Sequence, residues 1–138
     1  MSYATAIDMK ARFKESELIQ LTDFQHDGTI SDSVLEAALS DAHAEVDSFI
    51  GSRYPLPLAT IPENLTRLVC SIARYRLYKD SAPEHVRKLY EDAVGWLKSL
   101  ANGTVSLGQV VEDEPAVDNV AVVYSRPAVF GDDWSNKF

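Results

Sequence analysis

One cysteine, Cys70, in 138 residues leaves no intramolecular disulfide to staple the fold, and a single thiol fits a reducing, cytosolic setting. Long apolar runs are missing too: nowhere do roughly 18 uncharged apolar residues follow one another, so no membrane span is expected. Residues 1–21 scatter Asp8, Lys10, Arg12, Lys14, Glu15 and Glu17 among apolar side chains, leaving no core for a secretion signal. The chain therefore reads as soluble. Positive charge is scarce, with 13 Lys and Arg against 21 Asp and Glu and a net charge of -8. That balance disfavours broad contact with phosphate backbones or anionic lipid. Neither a phosphate-cradling glycine loop nor a Gly-x-Ser-x-Gly elbow occurs, and no nucleophile, base and oxyanion donor stand at workable spacing.

What is present is ordinary for a globular domain: 46% hydrophobic and 25% charged residues. A chain of this size buries roughly 68–70% of its unfolded surface, enough for a core that needs no staple. Thr5 followed by Asp8 makes a capping box for a short helix to Phe13, and Ser16 caps another short turn through Leu21; both read as satellites. Ser31 or Ser33, the latter with Glu36 at capping-box spacing, opens a long helix with Leu35, Ala38, Leu39, Ala42, Val46, Phe49 and Ile50 on one stripe and Gly51 as its stop. Pro62 opens a second long helix, carrying Leu65, Leu68, Val69, Ile72, Ala73 and Leu77. Pro83 opens a third, with Val86, Leu89, Tyr90, Ala93, Val94, Leu97, Leu100 and Ala101 on one face and Gly103 as its stop. Three amphipathic helices bury one another, so the fold class is an all-α bundle of three long helices plus short N-terminal ones.

Beyond Gly108 the character changes. Glu112-Asp113-Glu114-Pro115 is an acidic break, and Val120-Ala121-Val122-Val123-Tyr124 has the composition of a strand with no partner strand nearby. The expected organisation is a helical domain over 1–108 and an extended acidic tail over 109–138, the tail carrying six acids and two bases.

Several motifs invite a chemical reading and have a plainer one. Residues 23–30 begin like a calcium loop, but Gln25 stands at the third position and Val34 at the twelfth, where a bidentate Glu belongs; a glycine turn before a helix is the better reading. His43 with Asp47, and Asp41 with Glu45, are four apart on one helix, yet no third or fourth ligand follows, so no metal or cofactor is assigned and a solvated acidic face is preferred. Cys70 on an apolar stripe reads as a buried, inert thiol. Arg74 and Arg76 with Tyr75 and Tyr78 could stack single-stranded bases, but Arg67, Arg74 and Arg76 are better expected to meet the acids of the Ser31 helix, within or between subunits. Arg126, Phe130, Trp134 and Phe138 in the tail are residue types enriched at interface hot spots; docking on a partner is favoured over a frayed end.

Ser2-Tyr3-Ala4-Thr5, Glu17-Leu18-Ile19-Gln20-Leu21-Thr22-Asp23, Leu35-Glu36-Ala37-Ala38-Leu39, Asp47-Ser48-Phe49-Ile50, the break Arg53-Tyr54-Pro55-Leu56-Pro57-Leu58, and Ile72-Ala73-Arg74-Tyr75-Arg76-Leu77 together resemble the Mu-like phage and prophage head-to-tail joining proteins. Tyr90-Glu91-Asp92-Ala93-Val94-Gly95-Trp96-Leu97 and Gly103-Thr104-Val105-Ser106-Leu107-Gly108 continue the resemblance across nearly the whole helical part, whereas Ser125–Phe130 matches only loosely. The resemblance implies a role and no reaction: a non-enzymatic adaptor, without cofactor, forming a homo-oligomeric ring beneath the portal of a filled capsid, lining the DNA channel and offering a platform to the tail. Its partners would be the portal protein and a tail-side connector or tail terminator, with no specific nucleic-acid sequence and no membrane, and its place the virion neck after assembly in the host cytoplasm. On that reading Arg53, Tyr54, Pro55 and Leu56 sit at subunit junctions, the tail aromatics and Arg126 anchor a partner, and Asp41, Glu45 and Asp47 face the channel. The alternatives are a small cytosolic regulatory module that binds a protein through the same tail, and a metal-dependent enzyme built on the acidic helix.

Overall fold

The computed structural model describes residues 2–108, and these are all helical or irregular, with five helices and no strand among the described residues. The tail expectations, including the strand-like run 120–124, the boundary at 108 and the anchors Arg126, Phe130, Trp134 and Phe138, lie outside the described residues. Helix α1 spans Ala6–Arg12, α2 Glu15–Thr22, α3 Asp32–Ile50, α4 Glu63–Tyr78 and α5 Glu84–Ala101. The three long helices pack on one another, α1 lies against α3 and α4, and α2 against α4.

Helix α4 is the centre of this arrangement. Leu68, Val69, Cys70, Ser71, Ile72 and Ala73 are consecutive and all buried. Six successive buried residues cover more than a full helical turn, so α4 is enclosed on all sides at its middle, unlike a helix that shows one stripe to a core. Helix α3 keeps the single stripe its spacing predicts: Leu35, Ala38, Leu39, Ala42, Val46 and Ile50 are buried and Phe49 is half-buried. On α5, Val86, Ala93, Leu97 and Leu100 are buried, but Leu89 is 41% exposed, so the predicted face is narrower than its apolar spacing.

The helix ends follow local chemistry. The Thr5 hydroxyl accepts from the Asp8 N–H while the Asp8 carboxylate accepts from the Thr5 N–H, completing the capping box. Ser31 caps α3 by accepting from the Val34 N–H, which decides between the two candidate serines; Ser33 lies inside the first turn and shares a hydrogen bond with Ser31. Ser16 does not cap α2: the helix begins two residues earlier, after Lys14, with no side-chain cap. Pro62 and Pro83 sit at the N-cap positions of α4 and α5. Gly103, at φ +91, takes the left-handed conformation that ends α5, where a side chain would be strained.

The two short N-terminal helices are part of the core and not satellites. Met9 and Leu18 are wholly inaccessible, and Tyr3 and Ala4 are also buried. The reason is α4: its wide apolar middle is buried on all sides, and both short helices pack on α4, with α1 also packing on α3. Thr22 fastens the end of α2 to the start of α3, its buried hydroxyl donating to the Leu18 carbonyl at 2.7 Å and accepting from the Ser31 N–H at 3.0 Å. The intervening loop is organised by Asp23, whose carboxylate accepts from the Asp27 and Gly28 N–H groups at 2.9 and 2.8 Å. The Gly28 bond first, and then that from Asp27, hold the exposed Asp23 carboxyl below its ordinary pKa.

Candidate functional site

The break after α3 is the one irregular connection that the sequence singled out for partner contacts, and its residues divide into two pairs. Arg53 turns back into the molecule: its Nη1 donates to the Leu100 carbonyl at 3.0 Å and to the Val105 carbonyl at 2.6 Å. The Tyr54 hydroxyl accepts from the Leu107 N–H at 3.1 Å, and the Arg53 guanidinium lies 5.3 Å from the centre of the Tyr54 ring. One arginine thus adds a charged donor to the Leu100 carbonyl in the last turn of α5 and ties it to the Val105 carbonyl beyond the helix, and one tyrosine holds the segment that follows. Pro55 and Leu56 are exposed, Leu56 at 38%. Leu58 returns to the core. The break is therefore a clasp on residues 100–107 with an exposed Pro55-Leu56-Pro57 tip.

The acids of α3 are not one solvated face. Asp41 is exposed, but Glu45 and Asp47 are part-buried. Glu45 receives Arg76 Nη2 at 2.5 Å and the Tyr90 hydroxyl at 3.0 Å, joining α3 to α4 and α5. The Glu45 hydrogen bond raises the Arg76 pKa, and burial, followed by the bond to Glu45, raises that of Tyr90. Asp47 accepts from the Tyr3 hydroxyl at 2.5 Å, and burial together with that bond holds the phenol well above its ordinary range. His43 accepts the Ala4 N–H on Nε2 at 3.3 Å and stands edge-on to the Tyr3 ring at 5.9 Å. The His43–Asp47 pair is thereby a latch for the N-terminal segment, its atoms turned toward Ala4 and Tyr3. Among the described residues no three His, Cys, Asp or Glu side chains gather where they could hold a metal ion.

Two of the three arginines of α4 meet acids, and only one of them meets the Ser31 helix. Arg76 pairs with Glu45 as expected, whereas Arg74 grips Glu17 on α2 with Nε and Nη2 at 2.9 and 3.1 Å, and Arg67 bonds Asn64 on its own helix. Burial alone would raise the Glu17 pKa, but the bonds from Arg74 and Tyr78 outweigh it and keep the carboxyl below its ordinary value. The same contact, with burial the larger cause, pushes Tyr78 up to about 12. Tyr75 stacks on Tyr90 with ring centres 4.1 Å apart and planes within 8°. The rings and charges that suggested a base-stacking patch are thus engaged in joining helices. Cys70 is fully buried, and burial pushes its thiol up to about 11, the opposite of an activated nucleophile.

Sequence spacing missed Glu17, Tyr3 and Tyr90 as partners, and it missed the Arg53 and Tyr54 contacts with residues 100–107. The available signal was the residue type: an arginine and a tyrosine beside two prolines, where donors for an exposed helix end are needed.

No helix among the described residues is long and apolar enough to cross a membrane. The sequence pattern of the family described as Bacteriophage Mu, Gp36 matches residues 3–124. The "Mu-like prophage FluMu protein gp36" of Haemophilus influenzae is 35% identical over 137 residues, covering 99% of this chain and 97% of that protein. "Gene product J" of Escherichia phage Mu is 35% identical over 135 residues, covering 94% of each. The matched span takes in the break, the clasped residues and all five helices of the described residues: the chain belongs to the bacteriophage Mu Gp36 family.

Proposed function

We propose that this chain is a non-enzymatic structural part of a Mu-like virion, a head-to-tail connector that assembles as a ring beneath the portal, borders the DNA channel and carries the tail. The observation that carries this reading is the engagement of the chemistry-bearing side chains: Glu17, Glu45, Asp47, His43, Arg53, Arg74 and Arg76 all hold one helix or segment to another. Groups fixed in that way build a rigid block, and none of these seven is a free acid or base awaiting a substrate. Full-length similarity to Mu and Mu-like prophage proteins supports the phage setting.

In this reading the exposed Pro55-Leu56-Pro57 tip meets a neighbouring subunit, while Arg53 and Tyr54 support it from behind. The tail residues Arg126, Phe130, Trp134 and Phe138 anchor the portal or the tail-side protein. The negative net charge lets DNA pass a channel wall without adhering, and of Asp41, Glu45 and Asp47 it is the exposed Asp41 that has a carboxylate to present there.

The test is direct. The purified chain is mixed with the portal ring from the same genome, and mass is measured by light scattering after size exclusion. Co-elution at about one copy per portal subunit is the expected outcome for a heterologous ring on a ring. No co-elution with properly assembled portal at micromolar concentration would overturn the portal contact. A chain ending at Gly108 is expected to stay folded and lose portal binding; retained binding would overturn the tail assignment.

A further inference from the structure

A groove is lined by Arg12, Phe13, Lys14, Glu17, Arg74 and His85, where the junction of α1 and α2 faces α4 and the start of α5. In a chain of net charge -8 this is a local gathering of cations. Lys14 is exposed and has no ion pair among the described residues. Arg74 lies over the Phe13 ring at 4.6 Å and commits only two of its five N–H donors, both to Glu17. Arg12 reaches out to the exposed Glu63 through one nitrogen. Against these stands a single lining carboxylate, Glu17, which Arg74 and the Tyr78 hydroxyl already occupy.

We propose that this groove is a docking site for an acidic protein segment, with Lys14 and the free nitrogens of Arg12 receiving its carboxylates, Phe13 packing beside them and the largely buried Arg74 adding its charge from beneath. Charge complementarity selects the occupant. Arginine forks match carboxylates in pairs, and a lysine at the groove mouth adds a mobile point charge. A nucleic-acid strand suits the groove less well, because Glu17 interrupts the cations and the chain as a whole repels phosphate. The proposal does not rest on the proposed portal contact and is tested independently of it.

The test uses the full chain and a fluorescein-labelled oligoglutamate peptide, read by fluorescence anisotropy at low ionic strength, with oligothymidylate as the competing polyanion. The peptide is expected to bind and to be released as salt rises. Lys14→Glu is expected to weaken binding by about tenfold. Because position 14 precedes α2, that substitution places an acid at a helix N-terminus, where it is stabilising, so the loss would not be one of folding. Lys88→Glu, the same charge change on the exposed face of α5, is expected to leave affinity unchanged. No peptide binding, an equal loss in both variants, or tighter binding of oligothymidylate through Lys14 would each overturn the proposal.

Discussion

His43 illustrates how a residue that looks like a metal ligand is used instead as a neutral acceptor. Its Nε2 must keep a lone pair to accept the Ala4 N–H, and burial lowers the pKa of the ring below its ordinary value, with Asp47 opposing. A histidine with a depressed folded pKa favours the folded chain while neutral and takes up protons more readily when unfolded. Its contribution is therefore complete above the unfolded pKa of about 6.5 and is lost as pH falls through the lower folded value. Thermal midpoints measured from about pH 7.5 down to about pH 5.5 should fall for the wild type and fall less for His43→Gln. Equal slopes would mean that the latch does not depend on the neutral ring. Nothing in the local sequence could have shown this, because His43 lies 39 residues from its donor.

At the scale of elements, Met9 and Leu18 make the strongest claim, since each fixes a helix too short to stand alone. Met9→Ala or Leu18→Ala should cost about 2–5 kcal/mol, the range for emptying a fully buried site, as read by denaturant unfolding. A satellite helix would lose far less, so a cost under about 1 kcal/mol would sink the assignment of these helices to the core. The clasp gives a second prediction. Arg53→Ala should speed hydrogen exchange at Thr104, Val105 and Leu107, and Tyr54→Phe at Leu107 alone, with the amides in the middle of α4 unchanged. Uniform change across the bundle would mean that the clasp is not local.

The elements that were legible in the sequence share one property. The buried α3 stripe and the apolar positions Leu65, Leu68, Val69, Ile72, Ala73 and Leu77 of α4 recur every three or four residues, a period that burial imposes, although α4 is also buried at Cys70 and Ser71 between them. Leu89 satisfies the same period and is exposed, because the period marks a face and says nothing of how far a neighbouring helix extends along it. The targets of Arg53, Tyr54 and Arg74 lie 47 to 57 residues away and depend on how three helices cross, which no local pattern encodes. Arg76 and Glu45 were foreseeable as a pair of facing helices with opposite charge; Arg74 and Glu17 were not, because α2 was read as lying outside the core.

At the largest scale, the five helices and one continuous core of the described residues predict a single cooperative unit. A chain ending at Gly108 should unfold in one transition, with a midpoint within a few degrees of that of the full chain by circular dichroism. Two transitions, or a large loss of stability, would refute the organisation into a helical domain and a separate tail. The surface ion pairs Lys10–Asp32 and Arg87–Glu91 are exposed on both sides and should add little to that stability.

The Arg53 clasp also determines how the molecule would bear a pull. Tension applied to the chain beyond Gly108 would otherwise reach only the last turn of α5, which could be unwound one hydrogen bond at a time. With Arg53 bonded to Leu100 and Val105, and Tyr54 to Leu107, part of that tension passes across to the connection between α3 and α4 and so into the two most deeply buried helices. A tether leaving from such a point must break several bonds together before the bundle begins to yield.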